Sequence, residues 1–148
     1  MSYSMDLENA AQAYANTCPS SRSSYMGETF VSFPTNTRPF YDCAYDAIRS
    51  FWSPIRMWGI DQNVMFTNAV LGTGLINFSQ MAWAKSYQIG CGIQRCGMNT
   101  VVVCRYYPRG NILNQRIYGL GRFCTACPYK GCTTDYMHQG LCSNPTQV

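Results

Sequence analysis

Histidine is nearly absent: His138 is the only one in 148 residues. A single imidazole cannot build a zinc site that needs paired histidines. A Ser-His-acid triad would have only Asp135 and Ser143 beside it, in a cysteine-rich tail. Charge is also scarce, with Asp, Glu, Lys and Arg making up 12% of residues, about half the usual share. Combined with 47% hydrophobic and 14% aromatic residues, so little charge excludes a disordered chain. No apolar run approaches the roughly 18 residues of a membrane span. The net charge is +4, but the eleven basic residues are scattered and form no phosphate-tracking stripe, so no nucleic-acid partner is expected. There is no internal repeat, low-complexity segment or long linker, and the length suits one domain.

Cysteine, by contrast, is abundant. Nine are present, and seven of them lie between positions 91 and 142. Such density belongs to an oxidising compartment. The opening residues, MSYSMDLENAAQAYA, lack the basic start and apolar stretch of a signal peptide and carry Asp6 and Glu8. A secreted-type cysteine pattern without a leader gives the expectation that the natural protein starts further upstream. The odd count gives another: one cysteine has lost its partner or bonds a second chain. Cys124-x-x-Cys127 has three readings, a redox pair, half a zinc site built from four thiolates, or two cysteines of separate structural disulfides. The tail shows no helix to activate a thiol, and cysteine density favours the disulfides.

Leu7, Ala10, Ala11, Tyr14, Ala15 and Cys18 recur at helical spacing, with Ser4 as the expected cap, acids in the first turn and Pro19 as the stop. The segment from Phe30 to Phe40 holds Pro34 and Pro39 and reads as an aromatic loop. A second helix is expected from Asp42 to Ser53, with Ala44, Ala47, Ile48 and Phe51 on its apolar face. Residues 57–74 read as mostly irregular, and 75–84 as a short helix. Strands are expected over Tyr87–Ile93 and Thr100–Tyr107, with a hairpin loop at Gly97-Met98-Asn99 between them.

Four places carry a family resemblance. Asn77-Phe-Ser-Gln-Met-Ala-Trp83 and Val102-Val-Cys-Arg-Tyr-Tyr-Pro-Arg-Gly-Asn111 resemble the two signature motifs of the CAP superfamily, which groups cysteine-rich secretory, antigen 5 and pathogenesis-related 1 proteins. Gly27-Glu28, after a helix ending in Cys18, and the Gly90-Cys91…Cys96 spacing agree with it. Cys124-Thr-Ala-Cys127 and Gly140-Leu-Cys142 resemble the hinge of nematode activation-associated, venom allergen-like members. The resemblance implies an α+β fold, an αβα sandwich with a central antiparallel sheet and a C-terminal disulfide-rich hinge. It places the CAP domain at residues 1–118 and the hinge-like tail at 119–148. Relatives carry a further helix ahead of the first one here, so a sheet face is expected to stand open and the chain to fold poorly.

The family cleft usually holds two His and two Glu able to bind a metal ion. Carried onto this chain, those positions are Arg22, Glu28, Ile55 and Asn77, so one of four keeps its type. Neither metal nor cofactor is therefore expected, and Glu28 is expected to be a hydrogen-bonded carboxylate, with Arg22 as a candidate partner. The resemblance implies disulfides Cys18–Cys96, Cys91–Cys104, Cys124–Cys132 and Cys127–Cys142. It leaves Cys43 unpaired, either as a buried thiol or as the link in a disulfide dimer. Some relatives bind sterols through an aromatic loop, for which Phe30, Phe33, Phe40 and Tyr41 stand here; folding back over the core is the simpler role for them. Asn77-Phe-Ser79 is a formal glycosylation sequon, expected to be empty. The implied function is that of a secreted, non-enzymatic protein acting on host tissue or immune cells through a receptor. A sterol or fatty-acid carrier is the alternative, and a metal-dependent hydrolase the weakest reading.

Overall fold

A computed structural model describes residues 1–122 together with Cys124, Thr125, Cys127, Cys132 and Cys142. The chain runs β1 (Ser2–Tyr3), α1 (Met5–Asn16), β2 (Glu28–Phe33), α2 (Phe40–Trp52), α3 (Ile55–Trp58), α4 (Asn68–Leu71), α5 (Ile76–Met81), β3 (Gln88–Cys96) and β4 (Asn99–Tyr107). The strands form one sheet in the order β1-β3-β4-β2. β2 and β3 flank β4 antiparallel, while the two residues of β1 join β3 in parallel.

β4 shows why the layers form. Its residues alternate between two helices, as a strand's period of two requires. Val101 and Val103 meet Ala11 and Ala15 of α1 on one side. Val102, Cys104 and Tyr106 meet Cys43, Ala47 and Phe51 of α2 on the other. Both faces of the central strand are covered, whereas on β3 the residues of the α2 side, Ile89, Cys91 and Ile93, are only partly buried, so the expected open sheet face is reduced to this strand. A third cluster, of Phe66, Val70, Leu75, Phe78, Trp83 and Ile117, organises the irregular middle of the chain.

α1 begins at Ser4, whose hydroxyl accepts from the Leu7 amide. It ends before the expected stop. Thr17 is the cap, and Cys18 takes a left-handed conformation at φ 51° that turns its sulfur toward β3. The helix lies unusually close to the sheet because Gly90 and Gly92 face it. A Cβ on Gly90 would strike the backbone of Ser4, Leu7 and Glu8, and one on Gly92 the backbone of Ala11 and Gln12. Gln12 then pairs with both backbone groups of Ile93, donating to its carbonyl at 2.9 Å and accepting from its amide at 3.0 Å. It continues the β3 edge beyond the end of the short β1, where unpaired strand groups would otherwise remain.

Three expectations need correction. The segment Phe30–Phe33 lies in β2, because alternating Thr29, Val31 and Phe33 find the α2 layer while Phe30 finds α1. α2 starts at Phe40, since Pro39 fixes a helix entry just ahead of it. Its buried stripe is Cys43, Ala47 and Phe51, while Ala44 and Ile48 are exposed. The middle segment, 57–74, is mostly irregular as expected, with α4 and the end of α3 as its short helices.

Replacing Gly90 by Ala should force α1 off the sheet. Chemical denaturation is expected to show a loss of about 3 kcal/mol or no folded protein, at or above the upper end of ordinary overpacking because the obstacle is backbone. Wild-type stability in Gly90→Ala would contradict the close-packed arrangement.

Candidate functional site

The two signature segments meet in a buried polar network. The Gln80 side chain accepts from the Gly110 amide at 2.9 Å and donates to the Ser86 hydroxyl at 3.3 Å. Ser86 in turn donates to the Pro108 carbonyl at 2.7 Å. The Ser79 hydroxyl donates to Asn111 at 2.7 Å, and the Asn111 amide donates to the Ile76 carbonyl at 3.0 Å. Trp83 lies flat against Gly110, where a Cβ would come within 2.6 Å of its ring. Every one of these groups is a partner to another, so the network fastens α5 to the segment after β4. Buried polar groups that satisfy each other in this way serve the fold.

Glu28 is a separate case. It is fully buried at the start of β2, and Arg105 stands opposite it in the β2–β4 register, on the face covered by α1. The Ser23 amide donates to its carboxylate at 2.7 Å, the Ser23 hydroxyl at 2.8 Å and Arg105 Nε at 3.1 Å. The Arg105 guanidinium also lies 5.8 Å from the Tyr14 ring centre and 5.4 Å from that of Tyr25. Tyr25 donates its hydroxyl to the Tyr106 carbonyl at 2.9 Å. Burial pushes the Tyr25 phenol up from its ordinary value, with Arg105 and Arg109 pulling the other way. Beneath them, burial pushes the Tyr106 phenol up to about 12.

Arg22 does not bond the Glu28 carboxylate, contrary to expectation. Its Nη2 donates to the carbonyls of Glu28 at 3.1 Å and Met26 at 3.4 Å, and so braces the turn into β2. Its Nη1 is the one buried side-chain nitrogen or oxygen among the described residues without a hydrogen-bond partner. Burial lowers the Arg22 pKa, opposed by the Glu28 charge. The strand register that brings Arg105 to Glu28 was missed by sequence reading; the signal available was an arginine at the fourth position of the second signature, two residues after the buried Val103.

The remaining two cleft positions stand apart. Asn77 donates to the Phe30 carbonyl at 3.4 Å along the β2 edge, and Ile55 packs against the cluster around Phe66 and Trp83. Among the described residues, neither bonds the Glu28 carboxylate. None of their clusters of His, Cys, Asp and Glu has three members placed to hold a metal ion. The donor set does not fit zinc: one carboxylate already accepts three hydrogen bonds, its neighbour is a guanidinium, and the other two positions carry an amide and an alkyl chain. His138, Asp135 and Ser143 lie outside the described residues.

The cysteines are bonded Cys18–Cys96, Cys91–Cys104, Cys124–Cys132 and Cys127–Cys142. The first ties the end of α1 to β3 and the second ties β3 to β4. Cys124 and Cys127 are thus not bonded to each other as a redox pair would be. Cys43 is a free thiol with no accessible surface. It sits on the inward stripe of α2 as a small apolar side chain, so the route to a disulfide-linked dimer, which needs an exposed thiol, is closed in the folded protein. The four candidate lipid-loop aromatics are also separated: Phe30 turns to α1, Phe33 packs on the α2 side, and Phe40 and Tyr41 form the first turn of α2.

A disulfide-stapled αβα sandwich whose signature segments are fastened by a buried polar network is a structural domain class, and the comparisons give it a family. The model of the Cysteine-rich secretory protein family, CAP, matches residues 1–106, and the chain belongs to that family. Ancylostoma secreted protein of Ancylostoma caninum is 29% identical over 154 residues, covering 98% of this chain and 36% of the relative. Cysteine-rich secretory protein 2 of Homo sapiens is 31% identical over 163 residues, covering 99% of this chain and 60% of the relative. The chain therefore spans between about a third and three fifths of these relatives' lengths. The crystal structure of NaASP2 with Zn2+ superposes with a TM-score of 0.88 at 26% identity, over 97% of this chain and 75% of that one.

The sequon can be judged from the same geometry. Asn77 is half-buried inside α5 and Ser79 is fully buried in the network with Asn111. Protein secreted from eukaryotic cells is expected to carry no glycan at Asn77. A mass shift on that peptide after enzymatic deglycosylation would contradict the packing of α5.

Proposed function

We propose that this chain is a secreted, non-enzymatic CAP protein that acts by binding, released by a parasite to engage a receptor on host tissue or immune cells. The observation that carries this reading is the commitment of Glu28, the one tetrad-type residue, to Ser23 and Arg105. With Arg22, Ile55 and Asn77 at the other positions, the cleft has no general base, nucleophile or metal ligand set, and its remaining resource is surface. The relatives' names speak of secreted proteins, which supports an extracellular role. The cysteine content suits the same compartment. Residues 119–148 are read as a disulfide-bonded hinge. The sterol carrier draws no support from the four loop aromatics, which among the described residues face three ways.

Calorimetry with Zn2+ on the oxidised protein is expected to show no binding tighter than about 100 µM, the weak range of sparsely liganded oxygen sites. The labelled protein is expected to bind host leukocytes saturably. Submicromolar zinc binding abolished in Glu28→Ala would overturn the reading in favour of a metal-dependent protein. Extraction of labelled cholesterol or palmitate without cell binding would replace it by the carrier.

A further inference from the structure

The outer side of α2 carries a second, exposed apolar stripe. Cys43, Ala47 and Phe51 turn inward, whereas Tyr41, Tyr45, Ile48 and Trp52 recur at i, i+4, i+7 and i+11 on the opposite side and are exposed, Tyr41 at 78%. Met57 and Trp58 of α3 are also exposed, at 82% and 63%, with Trp58 beside a separate hollow shared with Ile60, Val70 and Leu75. A surface helix normally presents charge to water along this side. Here an open cleft of about 460 Å³ runs between the two helices, lined by Ile48, Arg49, Ser50, Trp52, Ser53 and Arg56.

α2 carries two carboxylates, Asp42 in its first turn and Asp46 in its second. Asp46 is paired with Arg38 at 2.8 Å, and among the described residues no carboxylate pairs with Arg49 or Arg56. Tyr, Trp, Met and Arg around an apolar centre, without Lys or Glu, is the composition of a protein-interface core and of its energetic hot spots. Two of the aromatics are already held in place. Trp52 packs edge-on against Phe78 with ring centres 4.9 Å apart, and the Arg49 guanidinium lies 5.8 Å from the Tyr45 ring centre. Side chains ordered before binding lose less entropy when a partner arrives. The two guanidinium groups offer paired donors suited to carboxylates. An anionic bilayer is a poorer fit, because recognition of its surface usually draws on a cluster of roughly four to eight cations, and this cleft has two.

We infer that the α2–α3 face docks a partner protein through an acidic segment, one apolar side chain entering the cleft beside Ile48 and Trp52 and flanking carboxylates bonding Arg49 and Arg56. This rests on the binding role proposed above and names the surface and the partner's chemistry.

The test uses the full oxidised chain and fluorescent peptide pools about a dozen residues long, each with a central Leu, Phe or Trp flanked by Glu, and matched pools with Gln or Lys in place of Glu. By fluorescence anisotropy, the Glu pool is expected to bind at least about tenfold more tightly than the Gln pool, the Lys pool not at all, and added salt to weaken the complex. The double variant Arg49→Glu, Arg56→Glu changes exposed side chains only; it should keep the wild-type melting curve and lose at least about tenfold in affinity. Equal binding of the Glu and Gln pools, or unchanged binding by the double variant, overturns the inference. So does arginine-dependent sedimentation with phosphatidylserine vesicles in place of peptide binding, or self-association removed by the same variant, which would assign the face to a membrane or to a second copy. Saturable leukocyte binding that survives in the double variant sinks this surface while leaving the proposed role standing.

Discussion

The interaction on which the rest of this structure depends is the burial of the Glu28 carboxylate against Arg105. A carboxylate taken out of water costs several kcal/mol, and only a close countercharge with further hydrogen bonds offsets it. Here the cross-strand register supplies the arginine and the loop before β2 supplies both donors of Ser23. Three segments distant in sequence are thereby fixed together: the 22–28 turn, β4, and α1 through Tyr14 over the guanidinium. A register shift of one residue on β2 would send Glu28 to the apolar α2 face, so the ion pair also selects the pairing.

Around that point the fold uses close approach and covalent ties more than charge. The glycine pair on β3 lets α1 lie against the sheet, and Cys18–Cys96 and Cys91–Cys104 hold helix, β3 and β4 together. The signature segments, with their Gln80, Ser86 and Asn111 network, do the same for α5 and the chain after β4. What makes these segments recognisable is their work in holding the sandwich, and that work is compatible with the loss of a metal-binding cleft. The carboxylate at the family's cleft position is itself part of that scaffold, held by Ser23 and Arg105.

Much of this was legible beforehand, for identifiable reasons. α1 and β4 have strong local patterns, an i, i+3, i+4 apolar repeat behind a serine cap and a run of valines, and tertiary context did not override them. Within the segment Phe30–Phe40, residues 34–39 are the expected loop, but Phe30–Phe33 was misread because the nearby prolines are local signals for a loop, whereas the strand there is made by pairing with β4 more than 65 residues away. The inward face of α2 was misassigned because two apolar stripes occupy one helix, and periodicity alone cannot say which of them meets the sheet. At the cleft, the types at positions 22, 28, 55 and 77 came directly from the motifs. The partner of Glu28 did not, since it follows from register, which no short motif encodes.

A double-mutant cycle on Glu28→Gln and Arg105→Met, followed by chemical denaturation, tests the central claim most directly. Breaking either side of the pair is expected to cost about 3 kcal/mol, the low end for buried pairs because the Arg105 side chain keeps 20% of its exposure. The double variant should be more stable than the sum of the single losses implies, with a coupling of about 1–3 kcal/mol. Strictly additive losses, or single variants as stable as the wild type, would contradict the account.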